Sequence, residues 1–493
     1  MTGVSVDSNA RPQRALPQVI QGGMGVAISG WSLGNAVARH GGLGVVSGTA
    51  LEVVLARRLQ LGDPGGHVRR ALASFPFRDA AARIIEDYFV PGGKPDEAPF
   101  KNVRTFTVTP GLPLQELTVA ASFVEVMLAR EGHDGPIGIN FLRKIELPIP
   151  FGVYGAILAG VDYIIVGAGN PKDIPGLVSR LSRNEPVGLP LRVQGLKSSD
   201  ADVEVRLDPA EFHGGVPPAL TRPAVLAIVA SSDLAVGLAG MDDPPDGFVV
   251  EAPSAGGHNA PPRGPRRVDQ LGQPVYDERD QVDLAQLRDL GLPFWLAGSF
   301  GSPDGLARAR AEGAVGVQLG TVFAFCEESG LTPELKRQVL DQVSEGEVDV
   351  RSDWRASPTG FPFRVVQVEG TLSDDDVYDD RRRVCDLGAL RVPFKTESGS
   401  IGYRCPAEPH RAYTQVKGGR AENTEGRLCL CNGLMATAGL AQIRAANGYQ
   451  EPALVTAGSD FSGVRALMQH TERPGFYSAA DVLDYVGAPA PAD

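Results

Sequence analysis

The stretch Phe248-Val-Val-Glu-Ala-Pro-Ser-Ala-Gly-Gly-His258 decides the fold of this chain, because an apolar run ends there in a glycine-rich turn that carries a histidine. The run Phe248 to Glu251 has the length and the β-branched content of a buried strand. Its apolar residues are consecutive rather than alternating, which is typical of a parallel strand covered on both faces. The turn is therefore expected at the carboxyl end of a parallel strand.

The same pattern recurs twice downstream. Phe294 to Ala297 precedes Gly298-Ser299, and Val315 to Leu319 precedes Gly320-Thr321, with an Ala- and Arg-rich helical segment between them. Strand ends rich in small residues allow backbone N–H groups and a helix N-terminus to hold an anion. Two such units in succession suit the phosphate site that lies at the last two units of many parallel barrels.

Upstream runs complete a set of eight strand candidates. Eight near-continuous apolar runs separated by helical segments predict an α/β protein, specifically a (β/α)8 TIM barrel, because this number of units matches the typical barrel. An open doubly wound sheet is the alternative. The predicted strands lie at residues 18–20, 44–46, 137–139, 163–166, 225–229, 248–251, 294–297 and 315–319.

The chain is longer than a minimal barrel, and the surplus falls in two places. Residues 1–15 are expected to be a flexible leader and residues 16–330 the barrel. Residues 48–136 form a helical insertion after the second strand, which we interpret as a lid, an interface or extra helices of the outer ring. Residues 331–493 form a loop-rich C-terminal extension with too thin an apolar core to fold alone, so it is expected to pack on the barrel.

Composition excludes several classes of function. The chain has 493 residues, 43% of them hydrophobic, and a formal net charge of −12, which argues against a nucleic-acid or anionic-membrane partner. No run reaches the roughly 18 consecutive apolar residues of a membrane span, and the N-terminal residues lack the apolar core of a signal peptide. Five cysteines is an odd number that suits a reducing compartment. A cytoplasmic location is therefore expected.

Four of the five cysteines lie close together in the extension. They are Cys385, Cys405, Cys429 and Cys431. Thiolates suit zinc or an iron–sulfur cluster, and a metal would stabilise a loop-rich segment. The spacing is not that of two C-x-x-C knuckles, so the alternative is that the thiols are unliganded and pack as small hydrophobes.

Taken in order, the strand-end motifs resemble those of the nitronate monooxygenase family, formerly called 2-nitropropane dioxygenases, over residues 15–330. The resemblance rests on Gln21-Gly-Gly-Met24, Gly138-Ile-Asn140, Ala255-Gly-Gly-His258 and the turns at Gly298 and Gly320. This family consists of FMN-dependent β/α barrels. Flavin-dependent enoyl-thioester reductases of fatty acid and polyunsaturated fatty acid synthases share the same barrel and the same histidine turn.

The resemblance implies a set of FMN-binding residues. The phosphate is expected at the seventh and eighth strand ends, the isoalloxazine ring beside the first-strand turn, and a flavin-edge hydrogen bond at the third strand. The implied residues are Gly22, Gly23, Met24, Asn140, Gly167, Gly257, Ala297, Gly298, Ser299, Gln318, Gly320 and Thr321.

His258 is the implied catalytic residue. An imidazole exchanges a proton near neutral pH, so it can act as a general base toward a nitroalkane or nitronate, whose oxidation by O2 gives a carbonyl compound and nitrite. Glu251, at the end of the same strand, is expected to position His258 or to pair with Arg263. The sequence after His258 is Asn259-Ala260, whereas the family usually has one variable residue followed by glycine, and this departure bears on the substrate.

Two alternatives to nitronate oxidation stay open. The first is an NAD(P)H-dependent enoyl-thioester reductase that acts with a fatty acid or polyketide synthase, in which His258 would polarise the thioester. The second is a flavin-binding subunit that docks on a carrier protein through the insertion or the extension. The expected partners are a small-molecule substrate and O2, with a carrier protein or a second copy of the chain as further partners.

Overall fold

A computed structural model describes residues 15–212, 217–471 and 475–488. The predicted leader falls almost wholly outside these residues. Eight parallel strands form the central sheet, and every one coincides with a run predicted from the sequence. They are β1 (Val19–Gln21), β2 (Gly44–Ser47), β3 (Ile137–Leu142), β4 (Tyr163–Gly167), β7 (Ala224–Val229), β8 (Gly247–Glu251), β9 (Phe294–Ala297) and β10 (Gly316–Leu319).

The sheet closes into a barrel. Its strands follow the order β1-β10-β9-β8-β7-β4-β3-β2, with parallel pairing throughout. The backbone of Leu43 then joins the two ends, because its N–H donates to the Val19 carbonyl at 2.9 Å and its carbonyl accepts from the Gln21 N–H at 3.0 Å. The (β/α)8 barrel with an insertion and an extension is thus confirmed, while the domain boundaries stay predictions.

A hairpin lies between the fourth and fifth barrel strands, and two more lie in the extension. Each pairs two antiparallel strands, and all of these short strands except Phe363–Val366 are partly exposed. The strands are β5 (Val187–Pro190) with β6 (Glu204–Leu207), β11 (Val350–Asp353) with β12 (Phe363–Val366), and β13 (Val392–Lys395) with β14 (Ile401–Arg404).

Helices cover the outside of the barrel and continue into the extension. Several begin at side-chain caps; for example, the Ser302 hydroxyl accepts from the Gly305 N–H ahead of a proline-started helix. In chain order they are α1 (Trp31–Arg39), α2 (Leu51–Gln60), α3 (His67–Leu72), α4 (Arg78–Tyr88), α5 (Leu112–Ala129), α6 (Ile149–Leu158), α7 (Ile174–Leu181), α8 (Ser232–Ala239), α9 (Leu284–Asp289), α10 (Pro303–Ala311), α11 (Thr321–Ala324), α12 (Pro333–Glu345), α13 (Asp375–Asp380), α14 (Leu430–Thr437), α15 (Ser462–His470) and α16 (Ala479–Val486).

The insertion extends the outer ring of helices. Its longest helix, α5, packs against α1, α2 and α6. Two buried glutamates on this helix are paired, Glu116 with Arg83 at 2.5 Å and Glu125 with Arg58 at 2.6 Å. The insertion was predicted to be a lid, an interface or extra helices of the outer ring. The structure supports extra helices of the outer ring, because α5 is mostly buried against its neighbouring helices.

Helix α5 is also long and apolar enough to cross a membrane. Its 18-residue window has a mean hydropathy of 1.4, and 78% of that window is buried inside the molecule. The same length and composition occur in the core helices of globular proteins.

The extension folds around the barrel. Helix α16 packs on α1 and α10, and α12 packs on α15. One apolar cluster joins barrel residues such as Phe248 and Leu296 to Val455, Phe461 and Leu483 of the extension. The barrel and the extension therefore share a core.

Candidate active site

One large cavity lies at the carboxyl ends of the barrel strands. Its volume is about 280 Å³, and it is partly open to solvent. All thirteen residues singled out from the sequence line it. They are Gly22, Gly23, Met24, Asn140, Gly167, Gly257, His258, Ala297, Gly298, Ser299, Gln318, Gly320 and Thr321.

The turn after β1 is fixed by a buried polar network. The Gln21 side chain donates to Ser29 Oγ at 2.7 Å and accepts the Val45 N–H at 2.9 Å. Ser29 Oγ in turn accepts the Met24 N–H at 2.8 Å. This turn passes so close to β3 that a Cβ on Gly23 would lie 2.3 Å from the Asn140 Cβ, and glycine is therefore required there.

The turn after β9 has an uncommon backbone. Gly298 has a φ of +99° and Ser299 a φ of +59°, a region that residues other than glycine seldom occupy. A Cβ on Gly298 would lie 2.8 Å from Ser254 Oγ, which explains the glycine. A turn of this kind can direct successive N–H groups toward an anion.

The neighbouring turn after β10 is completed by the extension. The Thr321 hydroxyl accepts a hydrogen bond from the Gly458 N–H at 2.9 Å. A Cβ on Gly458 would lie 2.9 Å from that hydroxyl and 3.0 Å from the Ser254 carbonyl oxygen, so the two segments touch. The extension thus forms part of the cavity wall at the predicted phosphate turns.

His258 is also held by the extension. Its Nε2 lies 2.6 Å from Ser357 Oγ, which contacts Thr359 Oγ1 at 2.8 Å. Its ring meets that of Phe363 edge-on, with centroids 4.9 Å apart, and its backbone forms a bridge to the same residue. With Nε2 engaged by Ser357, Nδ1 is the ring nitrogen left for a ligand in the cavity, since no described residue bonds to it.

Lys144 lies close enough to His258 and to Glu251 to change the pKa of both. Burial lowers the pKa of His258 well below its ordinary value, and the positive charge of Lys144 lowers it further. Burial raises the pKa of Glu251 to about 7, an effect that Lys144 opposes. Burial lowers the pKa of Lys144 to about 8, an effect that Glu251 opposes. The imidazole is therefore neutral over the physiological pH range.

Lys144 was not identified from the sequence. It follows β3, lies over the Phe361 ring at 3.9 Å, and contacts the Ala168 carbonyl oxygen at 3.3 Å.

The predicted ion pair between Glu251 and Arg263 is wrong, because the Arg263 guanidinium donates instead to the Ala230 carbonyl oxygen at 3.1 Å. The charged side chain that acts on the pKa of Glu251 is Lys144.

Sequence reasoning missed the whole contribution of the extension to the cavity. The Gly257 N–H donates to Thr456 Oγ1 at 3.1 Å, and the Gly257 carbonyl accepts from the Arg364 N–H at 2.9 Å. A Cβ on Gly256 would lie 2.7 Å from the Ala457 carbonyl carbon. The glycine pair that precedes the histidine is thus sandwiched between two segments of the extension, one at Arg364 and one at residues 456–458.

Two buried amide oxygens in the cavity have no hydrogen-bond partner. They are Asn140 Oδ1 and Gln318 Oε1. The Asn140 amide nitrogen donates to the Gly23 carbonyl at 3.0 Å, which fixes the orientation of that side chain. A buried acceptor without a donor costs about 1–3 kcal/mol, so these two oxygens suit a ligand that brings N–H groups.

The four cysteines of the extension surround a separate small cavity. Among the described residues, no group of three or more His, Cys, Asp or Glu side chains is placed to hold a metal ion, so the predicted zinc or iron–sulfur site is wrong. Burial raises the pKa of Cys431 to about 12 and that of Cys429 well above its usual value, which favours the neutral thiols. Cys405 and Cys429 pack with Ala407 as small hydrophobes.

The comparisons with known proteins agree with the site. A family model described as nitronate monooxygenase matches residues 221–365, which include β8, β9, β10 and His258. Over 125 residues the chain is 31% identical to (3aS,4S,5R,7aS)-5-hydroxy-7a-methyl-1-oxo-octahydro-1H-indene-4-carboxyl-CoA dehydrogenase of Mycobacterium tuberculosis (strain ATCC 25618 / H37Rv). That match covers 25% of this chain and 30% of the relative's length.

Two solved structures overlap most of the chain. One is nitroalkane oxidase from Streptomyces ansochromogenes, with 16% identity, a TM-score of 0.45 and coverage of 95% of this chain and 94% of that one. The other is the enoyl reductase domain of MlnA from Bacillus amyloliquefaciens, with 11% identity, a TM-score of 0.47 and coverage of 95% and 93%. Because both TM-scores are below 0.5, the fold is assigned from the order of the barrel strands and not from these two structures.

The family match falls on the three barrel strands whose ends carry His258 and the two predicted phosphate turns, and the resemblance drawn from the sequence is confirmed there. Residues 221–365 are therefore the part of the chain that is similar to the nitronate monooxygenase family.

Proposed function

We propose that this chain binds FMN in the barrel-mouth cavity and oxidises an alkyl nitronate, or the nitroalkane from which it forms, with O2 to a carbonyl compound and nitrite. The observation that carries the proposal is the imidazole of His258, which lines the cavity, is held through Nε2 by Ser357, and lies near enough to Lys144 for that positive charge to help burial lower its pKa. A neutral ring and a nearby cation favour an anionic substrate over one that must receive a proton from the ring.

The residues of the cavity fit FMN. The orphaned oxygens of Asn140 and Gln318 would accept hydrogen bonds from N–H groups of the ring system. The turns at Gly298-Ser299 and at Gly320-Thr321 would hold the phosphate through backbone N–H groups. Gly22, Gly23 and Met24 would lie against the ring, where small residues allow close approach. When bound, FMN would accept electrons from the substrate carbon and react with O2.

The roles of the chain's own residues follow from their contacts. Ser357 holds His258 in one orientation, with Nε2 occupied and Nδ1 available to the substrate. In the neutral ring, Nδ1 either accepts the proton of a nitroalkane or, in the other tautomer, donates a hydrogen bond to a nitronate oxygen. Lys144 places a positive charge near that ring, and Phe363 packs edge-on against it.

The second candidate is NAD(P)H-dependent reduction of an enoyl thioester. The observation in its favour is the 31% identity with a relative whose name describes a dehydrogenase of a carboxyl-CoA compound. That match covers a quarter of this chain. Docking of a flavin-loaded chain on a carrier protein, and association with a second copy, remain predictions that would accompany this candidate.

An anaerobic absorbance experiment separates the two candidates. Purified protein saturated with FMN is mixed in separate cuvettes with ethyl nitronate and with NADPH, and the flavin absorbance is followed. We expect bleaching by the nitronate and none by NADPH. Admission of air should restore the absorbance and release nitrite.

Bleaching by NADPH with no response to the nitronate would overturn the proposal in favour of the reductase. The matched control is His258→Gln loaded with FMN, since it keeps a polar side chain at the position but supplies no imidazole. Free FMN at the same concentration gives the rate of the reaction without protein.

A further inference from the structure

The far wall of the active-site cavity is apolar and comes mainly from the C-terminal extension. Five side chains on it, Leu142, Leu387, Ala389, Cys431 and Leu434, are only partly buried while they pack on the two neighbouring apolar clusters. All five line the cavity. We call this wall the apolar compartment.

Two threonine hydroxyls that the extension adds to the cavity are hydrogen-bonded within the protein. The Thr437 hydroxyl contacts the Gly433 and Leu454 carbonyl oxygens at 2.9 and 2.7 Å and accepts the Leu454 N–H at 3.0 Å. The Thr456 hydroxyl donates to the Arg364 carbonyl at 2.7 Å and accepts the Gly257 N–H at 3.1 Å. The hydroxyl hydrogen of each threonine is thus already donated within the protein, so neither offers a free donor to a ligand.

The apolar compartment adjoins the reactive histidine. The Phe363 ring contacts His258, and Phe363 packs in the same cluster as Leu390, Leu430 and Leu454, which form the floor of the compartment. A substrate whose reacting group meets His258 would therefore lay the rest of its body against this wall.

We infer that the extension forms a binding compartment for an aliphatic hydrocarbon part of the substrate. The inference rests on the proposed oxidoreductase function only in placing the reacting group at His258. Burial of apolar surface supplies the affinity there. The extension thereby sets the size of the hydrocarbon part that is accepted, and polar substrates of the same head group are bound weakly.

Binding of unreactive probes tests this without turnover. Straight-chain aliphatic amides, from propanamide to nonanamide, have a planar polar head and are titrated into the flavin-loaded protein by calorimetry. We expect Kd to fall about two- to fourfold with each added methylene until the compartment is full, as expected for apolar burial. A Kd independent of chain length would overturn the inference.

Variants assign the effect to the compartment. Leu434→Asp should abolish the dependence on chain length, whereas Leu271→Asp should keep it, because Leu271 is 69% exposed on a loop outside the cavity. If Leu434→Asp does not fold, Ala389→Leu decides, since added bulk should stop the gain at a shorter chain. Unchanged profiles in the folded variants would contradict the inference.

The proposed function and this inference can fail separately. Amide binding requires neither nitronate turnover nor NADPH. If the Kd of the amides falls with chain length but the protein does not oxidise nitronates, only the proposed function is refuted. Nitronate oxidation together with a flat amide profile would refute the compartment alone.

Discussion

His258 Nε2 and Ser357 Oγ lie 2.6 Å apart, although the two residues are 99 positions apart in the chain. The barrel supplies the imidazole and the extension supplies the group that orients it. The proposed catalytic side chain is therefore held by a segment that lies outside the eight-stranded barrel.

Ser357→Ala should lower turnover without loss of flavin. Removal of the hydroxyl leaves Nε2 without its partner and frees the ring to rotate, so we expect kcat to fall about tenfold. His258→Ala should cost about a hundredfold or more, the usual size of a general-base effect. Steady-state kinetics and the flavin absorbance of each variant measure the two effects.

Thr359→Val is the matched control for Ser357→Ala. Its hydroxyl contacts Ser357 Oγ at 2.8 Å but has no contact with the imidazole, so its effect should be much smaller. Equal losses in Ser357→Ala and Thr359→Val would mean that the loop, and not the hydrogen bond to His258, accounts for the change.

Lys144→Met should make His258 easier to protonate. A nearby positive charge disfavours the imidazolium ion, and its removal lets the pKa of His258 rise toward the ordinary value. In the wild type the ring should stay neutral as pH falls from 8 to 6, whereas in the variant protonation should begin at a higher pH. Nitrogen NMR of the imidazole, assigned with His258→Ala, follows both titrations. Identical titrations in wild type and variant would show that Lys144 does not act on the ring.

Gly458→Val should yield protein that is folded but poor in flavin. Its side chain would enter the space between the Thr321 hydroxyl and the Ser254 carbonyl oxygen and displace the predicted phosphate turn. Gly237→Ala is the control, because a Cβ on Gly237 in α8 has no atom within 4 Å. Flavin content per chain and circular dichroism are the measurements. Full flavin content in Gly458→Val would remove the extension from the cofactor site.

Gln318→Met should have opposite effects on the free and the flavin-bound protein. Without ligand, the buried oxygen of Gln318 has no partner, so its removal should raise the melting temperature. With FMN, the loss of one hydrogen bond should weaken binding about tenfold, or ~1.4 kcal/mol, and reduce the thermal shift that the ligand causes. A larger thermal shift in the variant would show that Gln318 does not bind the flavin.

Glu52→Gln tests a buried carboxyl outside the active site. Burial raises the pKa of Glu52 from 4.5 to about 7, so the folded protein binds more protons than the unfolded chain between these values. The stability of the wild type should therefore fall as pH rises through this range, by on the order of 3 kcal/mol from this group.

The stability of Glu52→Gln relative to wild type should accordingly increase from pH 4.5 to pH 7.5, as measured by urea unfolding at each pH. The exposed Glu97 provides the control, since Glu97→Gln should follow the wild type throughout. A constant difference between Glu52→Gln and wild type would mean that Glu52 is already ionised at low pH in the folded state.

Much of the barrel could be predicted from the sequence, because a parallel strand covered on both faces is a continuous apolar run. Phe248 to Glu251 and Tyr163 to Val166 are of this kind, and their turns follow at once in the chain. The site residues on those turns were implied by the family resemblance, whose motifs follow these strands directly. Each lies next to a strand that has a strong local pattern.

The contribution of the extension left no such local signal. Ser357 and Thr456 lie in loops, and their functional contacts are to residues 99 and 199 positions away. Lys144 was missed because a single lysine after a strand is common in any sequence. Its effect on the pKa of His258 follows only from the position of the two side chains in the folded chain. The metal prediction failed because four cysteines close in sequence also suit a packed apolar corner, which is how Cys405 and Cys429 are used.

The contact between Gly458 and Thr321 also orders events during synthesis of the chain. A ribosome that has completed β10 has produced every barrel strand but not Thr456 and Gly458, which follow more than a hundred positions later. The cavity wall at the histidine turn and at the predicted phosphate turn therefore stays incomplete until residues 456–458 have been made. A product cut short before residue 456 would carry all eight strands yet lack this part of the wall.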